Sequence, residues 1–337
     1  LCVFSFVFTL FYACVSKKTQ TSGTNTTTTS TTPETPAPAS PMRILVFTRT
    51  KGFYHQSIPA GKEAIMKLAK ENNFLVDTTT DANYFVEDSL KHYAAVVFLS
   101  TTMNVLNGDQ QVAFERYIQA GGGFMGIHAA ADTEYDWPWY NKLVGAWFLS
   151  HPAQQKAVVM VTDRSNPATS FLPERWERFD EWYNYKNINP DIKVLASLDE
   201  STYKGGQNGN NHPIAWYHEF DGGRAFYTGM GHTNESYQDP LFLRHLLEGI
   251  RYAAGSNVQL NYGKSYSVRS PEDNRFTKTV LSNDLNEPME LTIAPDGRVF
   301  FTERTGNCYV YDPAIKKTKL LRKFPVKAVE KYLNGLI

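Results

Sequence analysis

The sequence predicts an α/β protein: a doubly wound, mostly parallel sheet covered by helices, followed by a short all-β segment. Three observations carry this expectation. Between residues 42 and 255, apolar runs of strand length alternate with amphipathic stretches of helix length, the pattern of parallel strands joined by crossovers. After residue 274 the rhythm changes to short alternating runs punctuated by Asp-Gly and Gly-Asn turns. Across 337 residues, 42% are hydrophobic and 20% charged, which allows a sizeable core and excludes general disorder.

The elements follow in order. Leu1 to Ala13 is a short apolar run closed by Cys14. It fits the h-region of a secretory signal, and the Ala-Cys ending resembles a bacterial lipobox in which Cys14 is lipidated. Residues 15–41 are almost entirely Thr, Ser, Pro and Ala, too polar to offset their ordering entropy, and are expected to be a disordered tether. Together these predict export across a bacterial inner membrane and a lipid anchor in the periplasm or at the cell surface. The first domain, residues 42–255, opens with a strand at Arg43–Thr48. Ser57 as N-cap and Pro59 in the first turn then start a helix with Ala64, Ile65, Leu68 and Ala69 on one face. Ala94–Leu99 reads as a buried strand, and Asn107–Ala120 as a helix stopped by Gly121, Gly122 and Gly123. Strands are expected at Phe124–Ile127, Ala157–Val161, Ile192–Leu198, Ile214–His218 and Arg224–Thr228. A closing helix spans Pro240–Ala254, ended by Gly255. Residues 256–274 read as a linker. Short strands at 278–281, 289–293, 298–302 and 308–311 look like one blade of an incomplete β-propeller in residues 275–337.

Composition excludes several functions. Lys+Arg and Asp+Glu both number 34, so no global basic field would recruit nucleic acid. Three cysteines make neither a disulfide scaffold nor a zinc module. None falls between Cys14 and Cys308, so the first domain has no thiol nucleophile. No apolar run reaches the roughly 20 residues of a membrane span, leaving a lipid anchor as the membrane link.

Ligands of open parallel sheets bind outside the carboxyl ends of the strands. His55, His128 and His232 each follow a predicted strand and belong on that rim. His128 occupies a strand–turn–small-residue position with the shape of a nucleophile elbow. Histidine there can be a general base, a metal ligand or a hydrogen-bond donor; the plain alternative is a buried ring satisfied by backbone. Downstream, Asp132, Glu134 and Asp136 share one loop with Trp137 and Trp139, a mixture suited to a polyol whose C–H faces stack on indole. Glu181, beside Asp180 and Trp182, is the preferred second acid/base, with Asp180 orienting it. His55, His128, His151 and His232 lack the i, i+4 spacing of a specific zinc signal. Their convergence would still permit a divalent metal on two histidines and a carboxylate, so the metal is left open. The Gly205–Asn211 loop leads into a strand and reads as a turn or lid rather than a phosphate cradle. No GxGxxG opens a helix, which argues against a nicotinamide cofactor.

Several of these stretches resemble the trehalose-utilisation (ThuA-like) family. They are Ile44–Ile58, Gly121–Ala130, Asp132–Tyr140, Phe179–Asn184, His212–Trp216 and Gly223–Thr233. The resemblance covers residues 42–255 and implies a flavodoxin-like fold, similar to class I glutamine amidotransferases but without their nucleophile. It also implies a part in the catabolism of trehalose or keto-glycosides. In that reading His128 and Glu181 exchange protons with the sugar, while His55 and His232 polarise an oxygen. Asp132, Glu134, Asp136, Trp137, Trp139 and Trp182 hold the ring. The alternative is a non-catalytic carbohydrate-binding domain that presents sugars to a fused dehydrogenase. Leu285–Arg298 resembles the opening of a glucose/sorbosone dehydrogenase propeller. Such propellers use pyrroloquinoline quinone and calcium, which are implied here only for a complete propeller.

Overall fold

The computed structural model describes residues 41–256, 259–268 and 279–327. Cys14, the leader and all but the last residue of the tether lie outside the described residues. In chain order, β1 (Arg43–Phe47) is followed by α1 (Ile58–Glu71), β2 (Leu75–Thr79), the short α2 (Glu87–Leu90), β3 (Ala95–Leu99), α3 (Gly108–Gln119) and β4 (Gly123–Ile127). Then come α4 (Pro138–Val144), β5 (Trp147–Ser150), β6 (Gln155–Val161), β7 (Arg175–Asp180), β8 (Asn184–Lys186), β9 (Lys193–Asp199), β10 (Pro213–Phe220), β11 (Gly223–Thr228) and α5 (Pro240–Ala254).

Continuous apolar runs make β3 and β4 wholly buried, as strands covered on both faces must be. The helices are set by their ends. Asn107 and Gln110 form a reciprocal capping box that starts α3. Asp239 accepts the Leu241 N–H at the start of α5, and Pro240 stands in the first turn. Phe242, Leu246, Ile250 and Ala253 form the buried stripe of α5. Gly123 lets α5 approach the sheet, because a Cβ there would collide with the Ala253 carbonyl.

Nine strands join in the order β2-β1-β3-β4-β11-β10-β9-β6-β7. Every ladder from β2 to β11 is parallel and every ladder from β11 to β7 is antiparallel. The sheet is therefore mixed, not mostly parallel as expected. A cause lies in the turn between β10 and β11: Asp221 and Gly222 both have positive φ, the tight hairpin geometry that can only reverse the chain. Four reversals separate β11 from β7, so β7 runs in the same direction as β11. β2 and β7 were not foreseen: β2 is a half-exposed Leu-Val-Asp-Thr-Thr edge, and β7 buries the charged Arg178 and Asp180 beside Trp176 while Phe179 faces outward.

Burial has a consequence in α5. His245 is fully buried there, beside the Phe226 and Phe242 rings, with Nδ1 bonded to the Ala168 carbonyl at 2.9 Å. Desolvation pulls its pKa down to about 4, and the Arg178 charge pushes the same way. The unfolded histidine titrates near 6.5. Between those values the unfolded chain binds a proton that the native state does not. Stability is thus fullest above about pH 6.5 and falls as pH drops towards 4, by up to roughly 3 kcal/mol for this group. Urea melts across that range should show the loss, and His245→Phe should flatten it. An equally steep loss in the variant would refute the assignment.

The described part of the connector lies against the end of α3, with Ser265 Oγ on the Arg116 carbonyl and Tyr266 N on Gln119 Oε1. Beyond it, β12 (Pro288–Ile293), β13 (Val299–Glu303), β14 (Asn307–Asp312) and β15 (Lys317–Lys323) form a four-stranded antiparallel meander. Gly297, Gly306 and Lys316, all at positive φ, stand in its three turns. The strand expected at 278–281 is absent over its described residues 279–281, and the fourth strand is instead β15. Lys317–Lys323 takes that place by pairing along its length with β14 through backbone bonds, although its own side chains are mostly charged.

Candidate active site

The strand ends assemble one cluster. His128 follows β4 directly at φ 50, a left-handed conformation that costs about 1–3 kcal/mol in a residue with a Cβ and persists only where the surroundings impose it. Here the imposition is visible. Nδ1 of His128 lies 2.9 Å from the Gly229 carbonyl, and its own carbonyl accepts the Tyr227 hydroxyl at 2.7 Å. His55 arrives from the loop after β1, His232 from the loop after β11, and Glu181 from the end of β7. The ligand atoms of these four residues all lie within 4.8 Å of one another.

Glu181 is the centre of the cluster. Its Oε2 is 3.4 Å from His128 Nε2 and 3.2 Å from His232 Nδ1, and its Oε1 is 3.3 Å from His151 Nδ1. Burial alone would raise its pKa, but the His128 and His232 hydrogen bonds outweigh that and hold it below the usual carboxylate range. His55 is buried, with Nδ1 unpartnered and its ring edge-on to those of His128 and His232. Desolvation pulls its pKa down to about 2, and the neighbouring histidines add to the effect.

Asp180 fixes this geometry. Fully buried, it accepts from the Glu181 and His232 amides at 3.0 Å, the Gly231 amide at 2.9 Å and Ser236 Oγ at 3.0 Å. It thus ties the end of β7 to the loop after β11. In a flat sheet those strands would stand about 19 Å apart at the usual strand spacing, so the antiparallel half must curl back. Ser57, expected as an N-cap, makes no capping bond. It donates instead to the Gly231 carbonyl at 3.2 Å.

A cleft of about 290 Å³ opens over the cluster, walled by Phe53, Asp132, Phe148, Gln154 and Tyr183. It adjoins a wider groove that reaches Phe179 and Glu235. Asp132 accepts the Tyr135 hydroxyl at 2.5 Å; its pKa is raised by burial, which that bond only partly offsets.

The remaining predicted contacts are not brought to this cleft. Glu134 is buried and accepts the Val105 and Leu106 amides and Gln111 Nε2, stitching the entry to α3. Asp136 is exposed and bonded to Asn104. Trp137 stacks on Trp139 and donates to Glu115. Trp139 donates to Asp221, in the turn that begins β11, and so lies at the amino ends of the strands, opposite His128. Trp182 is fully buried and donates to the Gln155 carbonyl. Trp137 and Trp182 are buried packing residues, whereas half-buried Trp139 lines a separate groove with Phe220, Asp221 and Tyr266. The aromatic faces offered to a ligand are Phe53, Phe148 and Tyr183. Of these, Phe53 and Tyr183 sit within stretches already singled out, whereas nothing in Trp147-Phe-Leu-Ser marks Phe148. Buried His212 is held by Glu200 and the Tyr183 carbonyl, and His218 by the Lys142 carbonyl.

Comparison with known proteins agrees with this architecture. The family model described as "Trehalose utilisation" (ThuA) matches residues 43–253. A crystal structure of a ThuA-like protein from Bacteroides uniformis ATCC 8492 superposes with a TM-score of 0.55 at 25% identity, over 66% of this chain and 95% of that one. A ThuA-like protein from Parabacteroides merdae ATCC 43184 gives 0.54 at 22%, over 66% and 93%. No curated protein matches the chain.

Proposed function

Because the chain belongs to the trehalose-utilisation family, we propose that the His55–His128–His232–Glu181 cleft processes a sugar or keto-glycoside by proton transfer. The transfer takes place at the carbon next to a carbonyl or at a glycosidic oxygen, with no redox change. One observation carries this reading: a carboxylate ringed by three histidines lies under a small cleft whose walls combine aromatic faces with a second carboxyl group.

The two carboxyls have different tasks. A base held ionised well below neutrality is a poor proton carrier, since efficiency peaks when the pKa lies near the working pH. Glu181 therefore stabilises positive charge among the histidines. Asp132, pushed upward by burial, is the group that takes and returns the proton, with Tyr135 orienting it. His55, His128 and His232 polarise the sugar oxygen, and Phe53, Phe148 and Tyr183 hold the ring.

The purified chain should convert trehalose, glucose or a 3-keto-glycoside, followed by NMR with and without added divalent cation. Asp132→Asn should lower kcat by about 10²–10⁴-fold, the usual contribution of a proton carrier, while sugar resonances still broaden on binding. Broadening without product in the unaltered chain would favour a binding module, and full turnover by Asp132→Asn would overturn its role. In the same proposal Cys14 anchors the domain outside the inner membrane of a bacterium, and residues 275–337 begin a sugar-oxidising propeller. Failure of a fatty-acid label to incorporate at Cys14 would remove the anchor from the proposal.

A further inference from the structure

We propose that His128 Nε2, His232 Nδ1 and Glu181 Oε2, with His55 as a fourth ligand, form a binding site for a borderline first-row divalent cation of the Zn2+ type. The donor set is right for such an ion, since imidazole nitrogen and a carboxylate oxygen are its usual partners.

The spacing fits as well. A tetrahedral zinc with ligands at about 2.0–2.1 Å separates neighbouring ligand atoms by about 3.3 Å. The three edges here are 3.1 Å between His128 Nε2 and His232 Nδ1, 3.2 Å between His232 Nδ1 and Glu181 Oε2, and 3.4 Å between His128 Nε2 and Glu181 Oε2. They already outline one face of the coordination polyhedron. His55, within 4.8 Å of the others, stands where the next ligand belongs.

Proton positions point the same way. A carbonyl only accepts, so His128 Nδ1 must carry its hydrogen towards Gly229, and Nε2 presents a lone pair to the cluster. Backbone carbonyls commonly hold metal-ligating histidines in this manner. His151 is the informative contrast: its Nδ1–H is directed to the Pro152 carbonyl at 2.9 Å, so the nitrogen nearest Glu181 Oε1, at 3.3 Å, carries a hydrogen and is not a ligand. The Gln154 amide lies 2.7 Å from His232 Nε2; turned so that its oxygen accepts Nε2–H, it leaves the Nδ1 lone pair for the cluster. Without a cation, Nδ1–H of His232 lies between His128 Nε2 and Glu181 Oε2; on binding, that hydrogen leaves Nδ1 and Nε2 takes one up, so the ring stays neutral and its Nδ1 lone pair faces the ion. His55 adds an independent sign. It is a buried imidazole whose Nδ1 has no partner, which costs free energy unless something pairs with it.

The ion's role in polarising a sugar oxygen rests on the function proposed above; its binding does not. The full chain, stripped with EDTA, should bind one equivalent of Zn2+ by calorimetry, in buffer without sugar. Glu181→Gln and His232→Gln should each weaken binding by more than about 100-fold, because even loss of an outer partner costs about 10–100-fold. If either variant fails to fold by circular dichroism, Gln154→Leu replaces it, with an expected 10–100-fold loss. No zinc bound by the unaltered chain, or affinity unchanged in folded variants, would overturn the site. The sugar assay can fail or succeed separately, so the two readings are distinguishable.

Discussion

Exchanging His128 for asparagine should lower kcat on the converted sugar by at least about 10³-fold while the fold survives. Asparagine tolerates the positive φ of this position, and its amide can reproduce the Nδ1–H bond to the Gly229 carbonyl. What it lacks is Nε2, the atom facing Glu181 and His232. The substitution therefore removes chemistry with little change in packing, and each tenfold loss corresponds to about 1.4 kcal/mol of transition-state stabilisation. His128→Ala is a poorer probe, since it adds backbone strain and an orphaned carbonyl. Steady-state kinetics with circular dichroism as a control decides the matter. A variant within tenfold of the unaltered chain would mean that His128 is a structural ring.

The largest expected effect on stability belongs to Asp180, which touches no ligand. Its two oxygens accept four hydrogen bonds, and Arg178 Nη2 lies 3.8 Å away, itself buried against Trp176 and paired with Asp239. Asp180→Ala strands those donors and leaves the guanidinium with one carboxylate, Asp239, beside the Ser236 hydroxyl. Removing one member of such a buried charged group costs about 3–5 kcal/mol. Denaturant melts should show a loss of this size. Calorimetry should also show the zinc site weakened, because the His232 loop and the end of β7 are then no longer tied. A loss below about 1 kcal/mol would show that the curl of the sheet is held elsewhere.

Much of the site was legible because it lies on strand ends. His128 follows an apolar run and precedes small residues, and His55 and His232 occupy equivalent positions after β1 and β11. Glu181 was identified by its neighbours, not by a strand, since the inward charges of Arg178 and Asp180 and the outward Phe179 masked the alternation of β7. The tryptophans misled for a physical reason. An indole beside carboxylates suits a sugar when exposed, but the same carboxylates serve as hydrogen-bond acceptors when the indole is packed. Trp137 with Glu115 and Trp139 with Asp221 are of the second kind.

The local pattern of the chain therefore determined the α/β class, the helix ends, the absence of a thiol nucleophile and the rim carrying three histidines. Each depends on periodicity, capping chemistry or composition within a few residues. Only the tertiary structure decided that Glu181 meets those histidines, that Asp132 lines the cleft, and that Trp139 faces the other end of the sheet. These outcomes depend on strand order and on curvature accumulated across four antiparallel ladders, which brings the last strand of the sheet onto the loop after β11. No short-range pattern specifies such a sum, because twist and burial add over strands far apart in the chain.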